Sequence, residues 1–280
     1  MPRTRPFAQV DVFATGPCLG NPVAVVLDGT DLTDEEMQGL ARWTNLSETT
    51  FVLPPTSPAA DYRLRILTPH GELPFAGHPT LGSARAWLDG GGTPRHADRV
   101  VQECAAGLVT VRPAGDALSF AAPPLVREGP LDEPYLNGIV AAFGIEPGRV
   151  LAHQWVDNGP GWAVVQLATA AEVLALEPDL SLLPDGMFGA IGAHPAGSAH
   201  DFELRTFAPR CGVPEDPACG SMNASVGQWL TATGRAPAAY RVSQGTRLGR
   251  AATVGISADP DGTVWVTGTT DVLVHGTVTL

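Results

Sequence analysis

The chain is 280 residues long, with a formal net charge of −12 and an apolar fraction of 44%. Such a length suits two modest domains or one large one with a sizeable core, and the acidic balance repels phosphate backbones, so a nucleic-acid partner is not expected. Lysine and arginine together number 17 and every one is an arginine, which excludes a Schiff-base lysine and with it pyridoxal-phosphate catalysis through an internal aldimine.

The opening segment, MPRTRPFAQVDVF, carries basic residues but no apolar run of signal-peptide length. No stretch approaches the length of a membrane span, so a cytoplasmic protein without membrane contact is expected. NPVAVVL, from Asn21 to Leu27, reads as an apolar strand. Asn21 at its start could line a pocket, although turn chemistry explains it equally well. TDEEMQGLARW reads as a peripheral helix, with Thr33 and Glu36 forming a capping box over an acidic first turn. RILTP, Arg65–Pro69, is a strand that stops at a proline. LGSARAWL follows Gly77 and His78 as a helix with small or apolar residues on nearly every side, which marks it as buried, with Pro79 at its opening position. VVQECAAGLVTVRP alternates as paired strands.

A Pro/Gly-rich connector, Ala121–Pro134, marks the expected domain boundary, with residues 1–122 before it and 123–267 after it. The surface helices DEPYLNGIVAAFG and AAEVLALEP belong to the second part. Much of the first half then recurs: GWAVVQL at Gly161–Leu167 answers NPVAVVL, and RTFAP at Arg205–Pro209 answers RILTP. Pro217-Ala218-Cys219-Gly220-Ser221 answers Pro74-Phe75-Ala76-Gly77-His78, and MNASVGQWL is the second buried helix, with Ser221 as its N-cap and Gly234 as its stop. RLGRAATVGISAD and TVWVTGT are further strands. Residues 268–280 read as a strand that returns to the first domain. The expected architecture is α+β: two pseudo-symmetric domains, each a curved, mostly antiparallel sheet around one central helix, with the active site in the cleft between them.

Helix N-termini present unpaired N–H groups and a partial positive charge, and a glycine there lets a ligand approach the backbone. Gly77 and Gly220, facing each other across the boundary, would suit a carboxylate or a developing enolate. The cysteines Cys18, Cys104, Cys211 and Cys219 form no C-x-x-C pair, so neither zinc nor a disulfide framework is indicated. His194, His200 and Asp201 lie in a Gly/Pro-rich loop and read as solvated loop residues rather than metal ligands. No metal or cofactor is expected.

DVFATGPCLGNPVAVV (Asp11–Val26), LSETTFVLP (Leu46–Pro54), ELPFAGHPTLG (Glu72–Gly82) and EDPACGSMN (Glu215–Asn223) together resemble the signature segments of the phenazine-biosynthesis isomerase-like (PhzF-like) family, in the right order over essentially the whole chain. The resemblance implies the diaminopimelate epimerase fold and cofactor-free proton transfer. It makes Glu48 the general acid/base, with His78, Asp216 and Ser221 supporting binding and proton movement. Phe51, Val52 and Leu53 beside Glu48 are compatible with the raised pKa such a base needs. Related epimerases place a cysteine at each glycine turn. Here the first position is Ala76, so a two-thiol mechanism is not available. The second is Cys219, where the resembling family often has threonine; its helix-start position could lower its pKa, and it is taken as pocket-lining.

The expected function is an isomerase that shifts a proton, and with it a double bond, within a small unsaturated carboxylate or amino acid of secondary metabolism. Phenazine-type and dienyl-proline-type assembly are both candidates. A homodimer is expected from the family and from base rates. An amino-acid epimerase or racemase acting at the α-carbon, and a non-catalytic small-molecule binder on the same fold, are the alternatives.

Overall fold

The computed structural model describes residues 2–280. The first half runs β1 (Thr4–Val12), β2 (Asn21–Val26), α1 (Asp34–Thr44), β3 (Glu48–Leu53), β4 (Tyr62–Thr68), β5 (Gly71–Leu73), α2 (Gly77–Asp89), β6 (Val100–Cys104), β7 (Gly107–Ala114) and β8 (Ala117–Ala121). After β9 (Arg127–Gly129) and α3 (Glu133–Phe143) the order repeats. It runs β10 (Ala152–Asp157), β11 (Ala163–Thr169), α4 (Ala170–Leu174), β12 (Phe188–Ala193), β13 (Phe202–Ala208), β14 (Val213–Asp216), α5 (Gly220–Ala232), β15 (Ala239–Gln244), β16 (Ala252–Ala258) and β17 (Val264–Gly268). A last strand, β18 (Thr270–Thr279), follows.

The pairings repeat with the order. β2 runs parallel to β3 across α1, and β11 runs parallel to β12 across α4. β4 pairs antiparallel with β3 and β5 and parallel with β6; β13 does the same with β12, β14 and β15. β8 and β17, the last strands of the two repeats, pair with each other from Trp265 opposite Ala121 to Gly268 opposite Leu118, so the sheet is continuous across the halves. β18 runs antiparallel to β1.

Both central helices are wrapped by strands. In α2 the run from Gly77 to Ala84 is buried throughout, and in α5 the run from Gly220 to Gly227 is buried throughout. Gly82 shows why small residues are used: a Cβ there would lie 2.4 Å from a Val23 methyl, so strand and helix meet closer than any side chain allows. The peripheral helices bury one face only; α1 covers Phe51 and Leu67 with Met37, Leu40 and Ala41.

Local signals hold at several ends. Thr33 and Glu36 form the capping box of α1, and Gly234 follows the C-cap of α5 with φ of +67°. Two ends differ from expectation. Pro79 is the third helical residue of α2, still within the first turn where its missing N–H costs nothing. Ser221 is not the N-cap of α5: Cys219 is, without a side-chain cap bond, because the chain turns helical one glycine earlier and the Ser221 hydroxyl is engaged elsewhere. AAEVLALEP yields only the short α4, ending at Leu174. Among the described residues no helix is long and apolar enough to cross a membrane.

Candidate active site

α2 and α5 meet end to end. A Cβ on Gly77 would stand 2.6 Å from the Gly220 carbonyl carbon, and one on Gly220 would stand 2.9 Å from the Gly77 Cα. The glycines therefore serve first to let two helix N-termini touch, which places both sets of unpaired N–H groups at one point. Neither N-cap residue, Ala76 or Cys219, contributes a side-chain cap bond.

Glu48, His78, Asp216, Cys219, Gly77, Gly220 and Ser221 all line the cavity at this junction. Glu48 opens β3, and the parallel register sets it opposite Val23 of β2. Its Oε2 lies 3.3 Å from His78 Nε2, but the two are not aligned for a hydrogen bond and neither has another protein partner. Two buried polar atoms facing one cavity without partners are costly unless a ligand completes them. Burial, and then the charge of Asp216, raise the Glu48 carboxyl well above 4.5. Burial pushes His78 down to about 3, so its imidazole is neutral.

Asn21 does not itself line the cavity; it ties the two halves together behind it. Its Nδ2 donates to Asp216 Oδ1 (2.7 Å) and stands 3.1 Å from His78 Nδ1. Asn21 Nδ2 also donates to the Ala218 carbonyl at 3.1 Å. Asp216 Oδ1 also accepts from the Ala218 N–H at 3.0 Å. Burial still outweighs these donors and lifts Asp216 to about 6.

Cys219 overturns one expectation. Its helix-start position does not lower its pKa; burial, and then the Asp216 charge, raise it well above 9.0, so it is a protonated thiol. Its sulfur lies 3.5 Å from Ser221 Oγ. Ser221 Oγ accepts from Trp162 Nε1 at 3.0 Å. Far from this cluster, His194 Nε2 lies 3.2 Å from Glu203 Oε2 and His200 Nε2 lies 2.8 Å from Thr253 Oγ1, while Asp201 accepts from the Arg241 N–H. No group of three or more histidine, cysteine or carboxylate residues suited to a metal ion occurs among the described residues.

Two contributors escape the sequence motifs. Trp162 immediately precedes β11, the strand that answers the one begun by Asn21, and its place in that repeat is the signal that could have singled it out. Gln244, on β15, accepts from the Cys219 N–H (3.1 Å) and donates to the Asp216 carbonyl (3.0 Å), bracing the turn from behind. Nothing in its local sequence marks it, because its partners lie on another strand and helix.

The model of the phenazine biosynthesis-like protein family (PhzC-PhzF) matches residues 10–280. A trans-2,3-dihydro-3-hydroxyanthranilate isomerase from Pseudomonas aeruginosa is 36% identical over 248 residues, 87% of each chain being covered. Antisense-enhancing sequence 1 of Schizosaccharomyces pombe is 40% identical over 274 residues, with 90% of each covered. A crystal structure of a PhzF-family phenazine biosynthesis protein from Enterococcus faecalis superposes with a TM-score of 0.79 at 24% identity, over 99% of this chain and 100% of that one. A probable proline racemase from Agrobacterium radiobacter superposes at 0.66 with 16% identity, over 98% and 92%. These two show the fold, which is the α+β, diaminopimelate epimerase-like one expected from the sequence. With a family model spanning nearly its whole length, the chain belongs to the phenazine biosynthesis-like protein family and is an isomerase.

Proposed function

We propose that the enzyme moves a proton along a small unsaturated carboxylate or amino acid, without a cofactor and with Glu48 as the acid/base. The observation that carries this is the buried Glu48 carboxylate, with its unpartnered oxygen beside the neutral His78 at the joined N-termini of two helices. In the forward step, ionised Glu48 takes a proton from a carbon activated by the carboxylate and an adjacent double bond. The C–H electron pair becomes the new π bond. The old π pair shifts to the far carbon, which takes the proton back from Glu48, so atoms and charge balance. The N–H groups at Gly77 and Gly220 stabilise charge that builds on the carboxylate during transfer. His78 stands beside Glu48 as a neutral neighbour, Asp216 fixes Asn21 and tunes the base, and Ser221 and Cys219 shape the wall. The relatives named as isomerases of a dihydro-hydroxyanthranilate support a role in secondary metabolism. Action as a homodimer is part of the same proposal, and the exposed Leu273 and Val274 on β18 offer surface for it.

Glu48→Gln keeps the shape and loses the base. The expected result is a fall in turnover of about 10²- to 10⁴-fold with folding and ligand binding retained, followed as deuterium incorporation by NMR in heavy water. Retained turnover in this variant sinks the proposed mechanism. A two-thiol epimerase is disfavoured by Ala76 opposite a protonated Cys219, and Cys219→Ala is expected to stay within about tenfold of the parent enzyme in the same assay.

A further inference from the structure

The residues around the cavity are buried except for Leu73, Cys211 and Val213, which reach solvent, so the mouth lies on their side. Arg210, an exposed residue, stands at this mouth as the chain neighbour of Cys211. Its Nη2 donates to the carbonyl of Pro160, a lining residue. The guanidinium lies over Gly161, where an added Cβ would meet Nη2 at 3.2 Å. A guanidinium offers five N–H donors. Among the described residues Arg210 spends them on that one neutral carbonyl and forms no ion pair. The carboxylates nearest the rim along the chain are already engaged: Glu72 by Arg65, Glu215 by Arg205, and Asp157 by the Gly159 and Gly161 N–H groups at 2.7 and 2.6 Å. The His70 ring lies over Gly212, between Cys211 and Val213, and adds a second basic side chain to the rim.

We infer that Arg210 is the residue that makes this site select anions: its permanent charge draws the substrate carboxylate to the mouth and favours it over a neutral analogue. This rests on the proposed proton transfer within a carboxylate, and it places no restriction on amino or hydroxyl groups elsewhere in the substrate. A chain of net charge −12 repels small anions at long range, and a cation without a counterion reverses that field where the substrate enters. A carboxylate is a better partner than the carbonyl it displaces, because charge-assisted hydrogen bonds are about twice as strong as neutral ones and the planar fork accommodates both oxygens. The side chain is exposed, so it can turn from one acceptor to the other. A charge at a rim acts on encounter and on salt dependence rather than on the chemical step, so its effect belongs to KM and not to kcat.

The test uses the full chain and isothermal titration with 2,5-cyclohexadiene-1-carboxylate and its neutral carboxamide. Arg210→Gln keeps a donor for the Pro160 carbonyl and loses the charge, whereas Arg210→Lys keeps the charge. At low ionic strength Arg210→Gln is expected to bind the carboxylate about tenfold more weakly than the parent and the carboxamide equally well, with Arg210→Lys within about twofold of the parent for both. In about 1 M salt, where the Debye length is about 3 Å, the tenfold difference is expected to shrink to about twofold. A loss shared by carboxylate and carboxamide, or by both variants alike, would show that Arg210 only braces the Pro160 loop and would overturn the inference. Unchanged affinity in Arg210→Gln, or no binding of the carboxylate to the parent, overturns it as well. Deuterium exchange into the same carboxylate in heavy water, run beside it with Glu48→Gln, reports on the acid/base role separately. Charge-dependent binding without exchange leaves the role of Arg210 standing and removes the Glu48 mechanism; exchange without charge dependence does the reverse.

Discussion

Asp216 is a carboxylate whose neighbours pull in opposite directions. Two donors favour its charge, yet burial holds it near 6, and its charge in turn raises Glu48. A folded-state pKa above the unfolded 3.8 means that the native state keeps a proton that the unfolded chain has released. Stability from this residue is thus full at low pH and is lost as pH rises through about 6. Asp216→Asn retains an oxygen for the Asn21 and Ala218 donors and removes the charge. Two results are expected: the acid limb of kcat/KM, governed by Glu48, moves to lower pH, and Tm falls less between pH 4 and 8 than in the parent. A pH–rate profile and thermal melts across that range check both. His78 acts with the opposite sign: its depressed pKa takes stability away as pH falls from 6.5 toward about 3, so the two residues partly cancel in acid.

At the scale of elements, each repeat carries the same clamp ahead of its glycine turn. Arg65 on β4 grips Glu72 on β5 through two bonds, Nε donating to Oε1 at 2.9 Å. Arg205 on β13 grips Glu215 on β14 in the same way at 2.9 and 2.8 Å, and also donates to the Val173 and Leu176 carbonyls at the end of α4. The two differ in burial: side-chain exposure is 23% and 38% for the first pair, 4% and 11% for the second. Breaking a buried pair strands a charge, whereas an exposed pair contributes little. Arg205→Met is therefore expected to cost about 3–5 kcal/mol and Arg65→Met about 1 kcal/mol or less, measured by urea denaturation. Equal losses would show that burial is not what separates the two clamps.

The whole molecule turns on one junction. β8 with β17 closes the sheet across the halves, and the touching starts of α2 and α5 set the distance between them. The atoms that an added Cβ would strike are backbone of the facing helix start, which cannot swing aside, joined at Gly77 by the ring of the buried Phe120. Gly77→Ala and Gly220→Ala are each expected to destabilise the protein by about 1–3 kcal/mol or more, and to cut activity further than stability, because prying the helices apart also separates Glu48 and His78 from Asp216. Gly91→Ala probes a left-handed turn with nothing within 4 Å of the added carbon, and serves as the control for backbone strain alone. Melting curves and turnover at a temperature where all three stay folded decide the matter; an unaffected Gly77→Ala enzyme would refute the junction's role.

Much of this was legible in the chain itself. The repeat of apolar strand, Arg-led strand and glycine turn announced two similar halves, because each needs the same periodicity and the same small residues to bury one helix inside a sheet. His78, Asp216 and Ser221 could be named because they stand at the duplicated glycine turns and the resemblance marks them too, whereas Glu48, which alone reads as a turn residue, is marked by the resemblance only. The three-dimensional arrangement decided what each one faces. Asn21 read equally well as a turn residue, and only the fold carries it 195 positions along the chain to Asp216. Gln244 and Trp162 act through contacts that no local window contains. The Cys219 thiol followed the same logic: a helix start favours a thiolate, but burial and a nearby carboxylate oppose it, and their balance is set by packing. Sequence determines periodicity, caps and residue types, which depend on neighbours along the chain. Burial, charge proximity and the meeting of two helix ends depend on neighbours in space, and these alone bring the side chains to one cavity.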